Sequence, residues 1–154
     1  MNIYLKEFIE EKFKKSGKAL DLGAGDFSDI NYLSKLNCEC EGVDIKTGID
    51  LEKYYLSEKN PFNLVFSNYV IHKIKNKKQF VKIIFENLIY NGWFFIHTFD
   101  KEDKTCHCGL TEYSLKIFFI ECGFKKIKTK VFDYYDNEQN HNHWHKVLQV
   151  TGQK

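Results

Sequence analysis

The chain has 154 residues, of which 43% are hydrophobic and 16% aromatic. This length suits one domain with a single core, so we expect one domain over residues 1–154. The formal net charge of +2 is too small to indicate a nucleic-acid partner. The first residues show no secretory signal, and no apolar run approaches the ~18 residues of a membrane span. Five cysteines in such a chain favour reduced thiols, so we expect a cytoplasmic protein without a membrane partner.

The first predicted element is a helix over residues 2–15, where apolar side chains recur at helical spacing. This helix either only packs against the core or also covers a ligand, and the pattern does not separate the two. Further helices are predicted at 28–36, 51–56, 78–90 and 111–122, the last stopped by Gly123. Strands are predicted at 18–22, 38–44, 63–67, 92–98, 124–132 and 144–151.

Residues 18–26 (KALDLGAGD) predict a buried strand, a glycine-bearing turn and the start of a helix. Without a Cβ, Gly23 and Gly25 let the backbone approach a ligand and take φ angles that other residues avoid. The unpaired amides at the helix start favour an anion. Asp21, at the end of the strand, is placed to accept a hydrogen bond from an ammonium group. Asp44 follows about 20 residues later, where nucleoside-binding βαβ units place an acid that accepts both ribose hydroxyls.

Four motifs in this order resemble those of class I S-adenosylmethionine (SAM)-dependent methyltransferases. They are DLGAG at 21–25, GVD at 42–44, FNLVFSNYVIHKI at 62–74 and LIYNGWFFI at 88–96. Phe27 stands where the family usually has a third glycine, and Asn63 where the third of these motifs often begins with an acid. The alternative, an ordinary dinucleotide enzyme, would carry a full G-x-G-x-x-G and a second nucleotide-binding half, and this sequence has neither.

The resemblance implies an α/β, Rossmann-like fold with a seven-stranded, mostly parallel sheet and helices on both faces. Strand seven would run antiparallel, between strands five and six. Residues 49–51 (IDL) are similar to the segment that follows strand three in the family. The implied cofactor is SAM. Asp21 with the turn at 23–25 would hold its methionine moiety, Asp44 its ribose, and Asp50 with Leu51 its adenine. The full set of implied cofactor-binding residues is Asp21, Gly23, Ala24, Gly25, Asp44, Ile45, Asp50, Leu51, Ser67 and Asn68.

Methyl transfer needs a base only if the acceptor atom carries a proton at neutral pH. His72, His97 and His143 are the candidates, because the ordinary pKa of histidine is about 6.5. For His72 the alternative is a histidine that merely packs between helix and sheet. No single residue is predicted as the catalyst.

Cysteine and histidine also gather in two motifs, CHC at 106–108 and HNHWH at 141–145. In the implied fold the connection between the last two strands lies on the same sheet edge as the loop after strand five. That topology would bring His141, His143 and His145 near Cys106, His107 and Cys108. These side chains either hold zinc, copper or another soft metal, or line the acceptor site as a polar cluster, or are ordinary surface residues. Thiolates would also suit a thiophilic substrate. Their spacing matches no standard zinc motif.

We therefore expect a methyltransferase that uses SAM to methylate a small-molecule acceptor, with the Cys/His motifs near its site. The alternatives are an RNA or other nucleic-acid methyltransferase and a non-catalytic SAM- or metal-binding module. A nucleic-acid enzyme usually carries an Asn/Asp-Pro-Pro-Tyr motif, whereas residues 67–70 here read SNYV. The sequence does not indicate the acceptor atom or the oligomeric state.

Overall fold

The computed structural model describes residues 2–13, 17–137 and 142–154. The helices are α1 (Ile3–Lys12), α2 (Ser28–Lys35), α3 (Lys77–Asn87) and α4 (Glu112–Cys122), with a 3-10 turn at Ile45–Thr47. The strands are β1 (Lys18–Leu22), β2 (Glu39–Val43), β3 (Phe62–Asn68), β4 (Leu88–Phe99), β5 (Lys125–Asp136) and β6 (His143–Gln153). Within these ranges no helix is long and apolar enough to cross a membrane.

All six strands belong to one sheet, in the order β2-β1-β3-β4-β6-β5. β2, β1, β3 and β4 are parallel, whereas β6 runs antiparallel to both β4 and β5. The Rossmann-like α/β class is confirmed, and β6 inserts between its neighbours as the resemblance implied. The carboxyl ends of the four parallel strands therefore meet at one edge, where ligands bind in open α/β sheets.

The sheet has six strands among the described residues, so the expectation of seven was wrong. The strand without a counterpart is the third, which should precede residues 49–51. β2 ends at Val43, and the 3-10 turn Ile45–Thr47 occupies most of the interval that follows. A crossover between parallel strands takes a dozen or more residues, so residues 44–48 cannot hold both a crossover and a strand.

The short helix predicted over residues 51–56 is also wrong, because residues 51–53 form a turn and a bend and residues 54–56 form no regular structure. The Asp50 carboxylate accepts a hydrogen bond from the backbone N–H of Glu52 at 3.0 Å. This local bond satisfies the amide without a helix, as acidic side chains commonly do in turns. The Leu51 side chain is buried in the core, which fixes the segment by packing.

Two neighbouring phenylalanines on β4 show how the core is divided between the sheet's faces. The Phe94 ring stacks on Phe119 of α4 with centroids 4.2 Å apart. The Phe95 ring points to the opposite face, as alternation along a strand requires, and packs against Phe8 of α1 at 5.3 Å. α1 thus covers the Phe95 face of the sheet, and it begins at the edge where the parallel strands end.

The last two strands are longer than the sequence predicted. Pairing continues to Asp136 and His143, which lie opposite one another, so the predicted connection 133–142 is shortened. The Tyr134 and Asp136 side chains consequently belong to a hairpin rather than a loop. This hairpin extends beside the carboxyl edge of the parallel strands and forms one wall of the site.

Candidate functional site

The turn between β1 and α2 contains two glycines with left-handed φ angles, 95° at Gly23 and 56° at Gly25. A Cβ on Gly23 would lie 2.2 Å from Cγ2 of Val70, whereas a Cβ on Gly25 would have no heavy atom within 4 Å. Gly23 is therefore required by packing, and Gly25 borders open space. Phe27, which replaces the family's third glycine, packs its ring where a Cβ on Gly42 would lie.

Asp21 is the most unusual group at this edge. The residue is only 3% exposed, and its Oδ1 atom has no hydrogen-bond partner among the described residues. Burial raises the pKa of this carboxyl well above its usual value, and the nearby Asp29, Asp44 and Asp26 raise it further. A buried, uncompensated carboxyl among three acids fits a ligand that brings positive charge.

Asp44 connects the end of β2 to the glycine turn that follows β1. Its Oδ2 accepts from the backbone N–H of Gly25 at 3.1 Å, and its Oδ1 accepts from that of Lys46 at 3.0 Å. The carboxylate is thus held at the end of β2 beside the glycine turn. Ile45, the next residue, is 67% exposed and offers an apolar surface at the same edge.

The other predicted cofactor residues differ in whether their polar groups are already bonded within the protein. Ala24 donates its backbone N–H to Val43 O at 3.0 Å, so that amide is occupied by the fold. The Ser67 hydroxyl donates to Leu22 O at 2.6 Å inside the sheet, which leaves its side chain turned away from the edge. Asp50 lies near the surface, with its carboxylate 3.8 Å from Lys53 Nζ.

A cavity of about 790 Å³ opens at this edge between α1, α2, β3 and the β5–β6 hairpin. Its aromatic lining consists of Tyr4, Tyr69, Phe99 and Tyr134, and its histidines are His72, His143 and His145. Two carboxylates, Asp29 and Asp136, also line it. Among the described residues that line the cavity there is no lysine or arginine.

Asn68 and Asp29 connect this cavity to the glycine turn. Asn68 donates from Nδ2 to Asp29 Oδ2 at 2.8 Å and accepts at Oδ1 from Asn2 at 3.3 Å. The backbone N–H of Asn2 donates to Asp29 Oδ1 at 3.1 Å. The ends of α1, α2 and β3 are therefore tied together by three side chains, and Asp29 is close enough to Asp21 to affect its pKa.

The candidate histidines His72 and His97 have different surroundings. His72 lines the cavity, with Nδ1 3.3 Å from the Thr98 hydroxyl, and burial lowers its pKa to about 4. His97 is buried, and its two ring nitrogens lie 2.9 Å from Asn2 Nδ2 and 2.9 Å from Gln149 Oε1. Burial lowers the pKa of His97 to about 4 as well. Both rings are therefore neutral at pH 7.

His143 and His145 lie side by side on the cavity wall, with ring centroids 4.4 Å apart. The Nδ1 atom of His145 is 3.0 Å from Oδ2 of Asp103. Asp103, only 2% exposed, also accepts from the backbone N–H of Thr105 and Lys146 at 2.8 and 2.7 Å. Sequence reasoning missed Asp103, and nothing in the sequence sets it apart from other loop aspartates.

The predicted Cys/His cluster forms only in part. Cys106 lines the cavity with the two histidines, but the Cys108 thiol donates to Phe99 O at 3.2 Å and packs against the core. Burial and the adjacent Cys108 raise the pKa of the Cys106 thiol to about 11, so it is protonated at neutral pH. His107 is exposed, and His141 lies outside the described residues. In the part of the chain that is described, no three Cys, His, Asp or Glu side chains are grouped to hold a metal ion, so nothing there supports the zinc hypothesis.

A family model described as a methyltransferase domain matches residues 3–149. The chain belongs to this methyltransferase family. This match confirms the methyltransferase class implied by the sequence motifs. No match was found among curated proteins.

Solved structures agree with this assignment of the methyltransferase fold. A SAM-dependent methyltransferase from Archaeoglobus fulgidus is 16% identical with a TM-score of 0.75, covering 99% of this chain and 92% of that one. One from Methanosarcina mazei is 13% identical with a TM-score of 0.77 and 96% coverage of both chains. The 1,6-didemethyltoxoflavin-N1-methyltransferase of Burkholderia thailandensis, with 1,6-didemethyltoxoflavin and S-adenosylhomocysteine bound, is 16% identical with a TM-score of 0.72, covering 96% of this chain and 75% of that one.

Proposed function

We propose that this methyltransferase holds SAM at the ends of β1 and β2 and methylates a small molecule bound in the adjoining cavity. The observation that carries the proposal is the junction formed by Asn68 and Asp29, which joins the glycine turn to a cavity of about 790 Å³. Pockets of this size accommodate drug-sized ligands. The Burkholderia relative acts on a molecule of that kind, 1,6-didemethyltoxoflavin.

Each cofactor contact is assigned from the chemistry of the side chain present. The unpartnered Oδ1 of Asp21 would accept from the ammonium of SAM, whose positive charge complements the acidic groups around Asp21. Asp44, fixed by two backbone amides, would accept from the ribose hydroxyls. Exposed Ile45 and the segment with Asp50 and Leu51 would flank the adenine.

SAM supplies a methyl group on a positively charged sulfur, and this chain supplies orientation and a partly dry pocket. Asn68 and Tyr69 stand at the carboxyl end of β3 and line the cavity, so they are assigned to the reactive end of the site. His72 and His143 also line it and remain candidates for a base. His97 is assigned to structure, because both of its ring nitrogens are hydrogen-bonded and it does not line the cavity.

Titration calorimetry with SAM tests the cofactor assignment directly. Asp44→Ala removes two acceptor oxygens, so we expect its Kd for SAM to rise at least about tenfold. Glu58→Ala is the matched control, because Glu58 is an exposed acid in the turn before β3; its Kd should equal that of the native chain. A native chain that does not bind SAM, or an Asp44→Ala variant that binds it equally well, would refute the proposal.

The acceptor class requires a second experiment. Native protein is incubated with SAM and a pool of small metabolites, and formation of S-adenosylhomocysteine is followed by mass spectrometry. We expect turnover with small molecules and none with RNA. Turnover that depends on RNA would overturn the small-molecule part of the proposal while leaving the cofactor site intact.

A further inference from the structure

His145 is held in one orientation by the loop after β4. Its Nδ1 lies 3.0 Å from Asp103 Oδ2 and 3.1 Å from the Thr105 hydroxyl. Thr105 in turn donates to Asp103 Oδ1 at 2.7 Å. Because a carboxylate only accepts, Nδ1 must carry the proton, and the neutral ring then presents Nε2 as an acceptor. Asp103 therefore determines which nitrogen of His145 can take up a proton.

The Nε2 atom lies 4.0 Å from Oδ2 of Asp136, and both residues line the cavity. This separation is longer than a hydrogen bond. The Phe99 ring packs against His145 with centroids 4.8 Å apart, which fixes the plane of the imidazole. Nε2 is thus an oriented basic atom between an aromatic surface and a carboxylate.

The charges of the cavity favour a cation. Asp29 and Asp136 line it, and its described lining residues include no lysine or arginine. The whole chain has 23 lysines and arginines. Among the described residues, the donors to the Asp29 oxygens are neutral: the Asn2 backbone and the Asn68 amide. These bonds do not neutralise the Asp29 charge. Aromatic faces such as those of Tyr69 and Phe99 attract ammonium groups as well.

We propose that the cavity takes a protonated amine as methyl acceptor and that His145, positioned by Asp103, receives the amine's proton. This inference rests on the proposed function. The N–H bond of the ammonium breaks and its proton moves to Nε2 of His145, which leaves a lone pair on nitrogen. That pair forms the new N–C bond while the C–S bonding pair stays on sulfur. The products are a methylated ammonium and a neutral thioether, and the proton passes from His145 to water.

Binding without SAM separates this inference from the cofactor assignment. The probes are 2-phenylethylamine, 2-phenylethanol and phenylacetate, which share one size and differ in charge. By calorimetry at pH 7 we expect the amine to bind at least about tenfold more tightly than the alcohol, and the acid more weakly than either. An amine that binds no better than the alcohol, or does not bind at all, overturns the inference.

Two aspartates on the same strand provide a matched pair for the charge argument. Asp136→Asn should remove most of the amine's advantage over the alcohol, because Asp136 lines the cavity. Asp133→Asn is the control, since Asp133 pairs with Lys146 on the surface at 2.8 Å and should leave the advantage unchanged. Equal effects of the two substitutions would count against the proposal.

The role of Asp103 is tested by the state of the His145 ring. Nitrogen NMR should show the proton of native His145 on Nδ1, and Asp103→Asn should shift it to Nε2, because the amide can donate to Nδ1. Once an acceptor is found, Asp103→Asn and His145→Gln should each lower kcat/KM at least about tenfold.

The titratable neighbours of the His145 ring include Asp103 at 3.0 Å, Asp136 at 4.0 Å and His143 with ring centroids 4.4 Å apart. His143→Gln is therefore measured in parallel, and its kcat/KM should fall less than that of His145→Gln. Retention of full activity by His145→Gln would refute the assignment. Turnover of an acid or neutral acceptor with intact SAM binding would refute the amine inference and leave the methyltransferase function standing.

Discussion

The side chain of Asn2 donates from Nδ2 to Nδ1 of His97 over 2.9 Å, so the start of α1 is bonded to the middle of the sheet. The Oδ1 atom of the same side chain accepts from the backbone N–H groups of Tyr4 and Leu5, at 2.9 and 3.2 Å. One residue therefore caps α1 and fixes its position over the cavity. Stability and acceptor binding should both depend on Asn2.

Asn2→Ala should lower the free energy of unfolding by about 1 kcal/mol, the usual cost of losing an N-cap. It should also raise the KM for the acceptor, because Tyr4 on the first turn of α1 lines the cavity. Chemical denaturation and steady-state kinetics measure the two effects.

Asn76→Ala is the matched control for that substitution. Asn76 caps α3 by accepting from the backbone N–H of Gln79 at 3.0 Å, and it does not line the cavity. Its loss should cost a similar free energy while leaving KM unchanged. A KM that rises equally in both variants would show that α1 has no special role at the site.

Asp21→Asn should stabilise the cofactor-free chain at pH 7 and weaken SAM binding. The pKa of Asp21 is raised in the folded chain, so the folded state binds the proton more tightly than the unfolded state. Its contribution to stability is therefore present at low pH and is lost as pH rises above the unfolded value of about 3.9. An uncharged amide removes this penalty.

Denaturation of both chains at pH 5 and pH 7, with calorimetry for SAM, checks this trade-off. The variant should gain more stability at pH 7 than at pH 5 and lose affinity at least about tenfold. A variant less stable than the native chain at pH 7 would mean that the Asp21 carboxylate is already satisfied by the fold.

Much of the fold was predictable because it depends on local conformation. Gly123 ends α4 with a φ of 100°, and the glycine turn after β1 takes the conformations that its sequence predicts. The prediction of a third strand was wrong because it depended on the family's usual strand count. The prediction of a helix at 51–56 was wrong because it depended on propensity, whereas Asp50 and buried Leu51 fix that segment by other contacts.

The site was predictable only where chain topology decides it. Parallel strands bring Asp21 and Asp44 to one edge, and the order of the last strands brings Cys106 and His143 to one cavity. The Asp103–His145 contact joins residues 42 positions apart in the chain, and it depends on the path of an irregular loop. Likewise, only the folded structure shows that the side chains of Ser67 and His97 form their hydrogen bonds inside the protein.

Gly23→Ala and Gly25→Ala should separate folding from cofactor binding. A Cβ on Gly23 meets Val70 at 2.2 Å in a left-handed backbone, so it should cost about 1–3 kcal/mol or more of stability. A Cβ on Gly25 meets no protein atom within 4 Å, so its cost is limited to the backbone conformation, roughly 1–2 kcal/mol.

The Gly25 variant should nevertheless lose affinity for SAM, because its methyl group occupies the space assigned to the cofactor. We expect a rise in Kd of about tenfold or more, measured by calorimetry below the melting temperature. Gly25→Ala with native affinity would move the cofactor away from this turn.

His97 should make the stability of the protein depend on pH between about 4 and 6.5. Its folded-state pKa is lowered to about 4 by burial, whereas the unfolded value is about 6.5. In this window the unfolded chain binds a proton that the native chain does not, so the free energy of unfolding falls as pH falls. The slope contributed by one such group is at most about 1.4 kcal/mol per pH unit.

Urea denaturation at pH 7, 6 and 5 compares the native chain with His97→Gln and with His107→Gln, a substitution of an exposed histidine. His97→Gln should show a smaller loss of stability on acidification, since glutamine does not titrate, whereas His107→Gln should follow the native chain. His72, whose pKa is also lowered to about 4, is present in all three chains and cancels in the comparison. Parallel curves for all three would mean that His97 binds a proton equally well in the folded and unfolded chains, and its hydrogen bonds to Asn2 and Gln149 would then have to be reassigned.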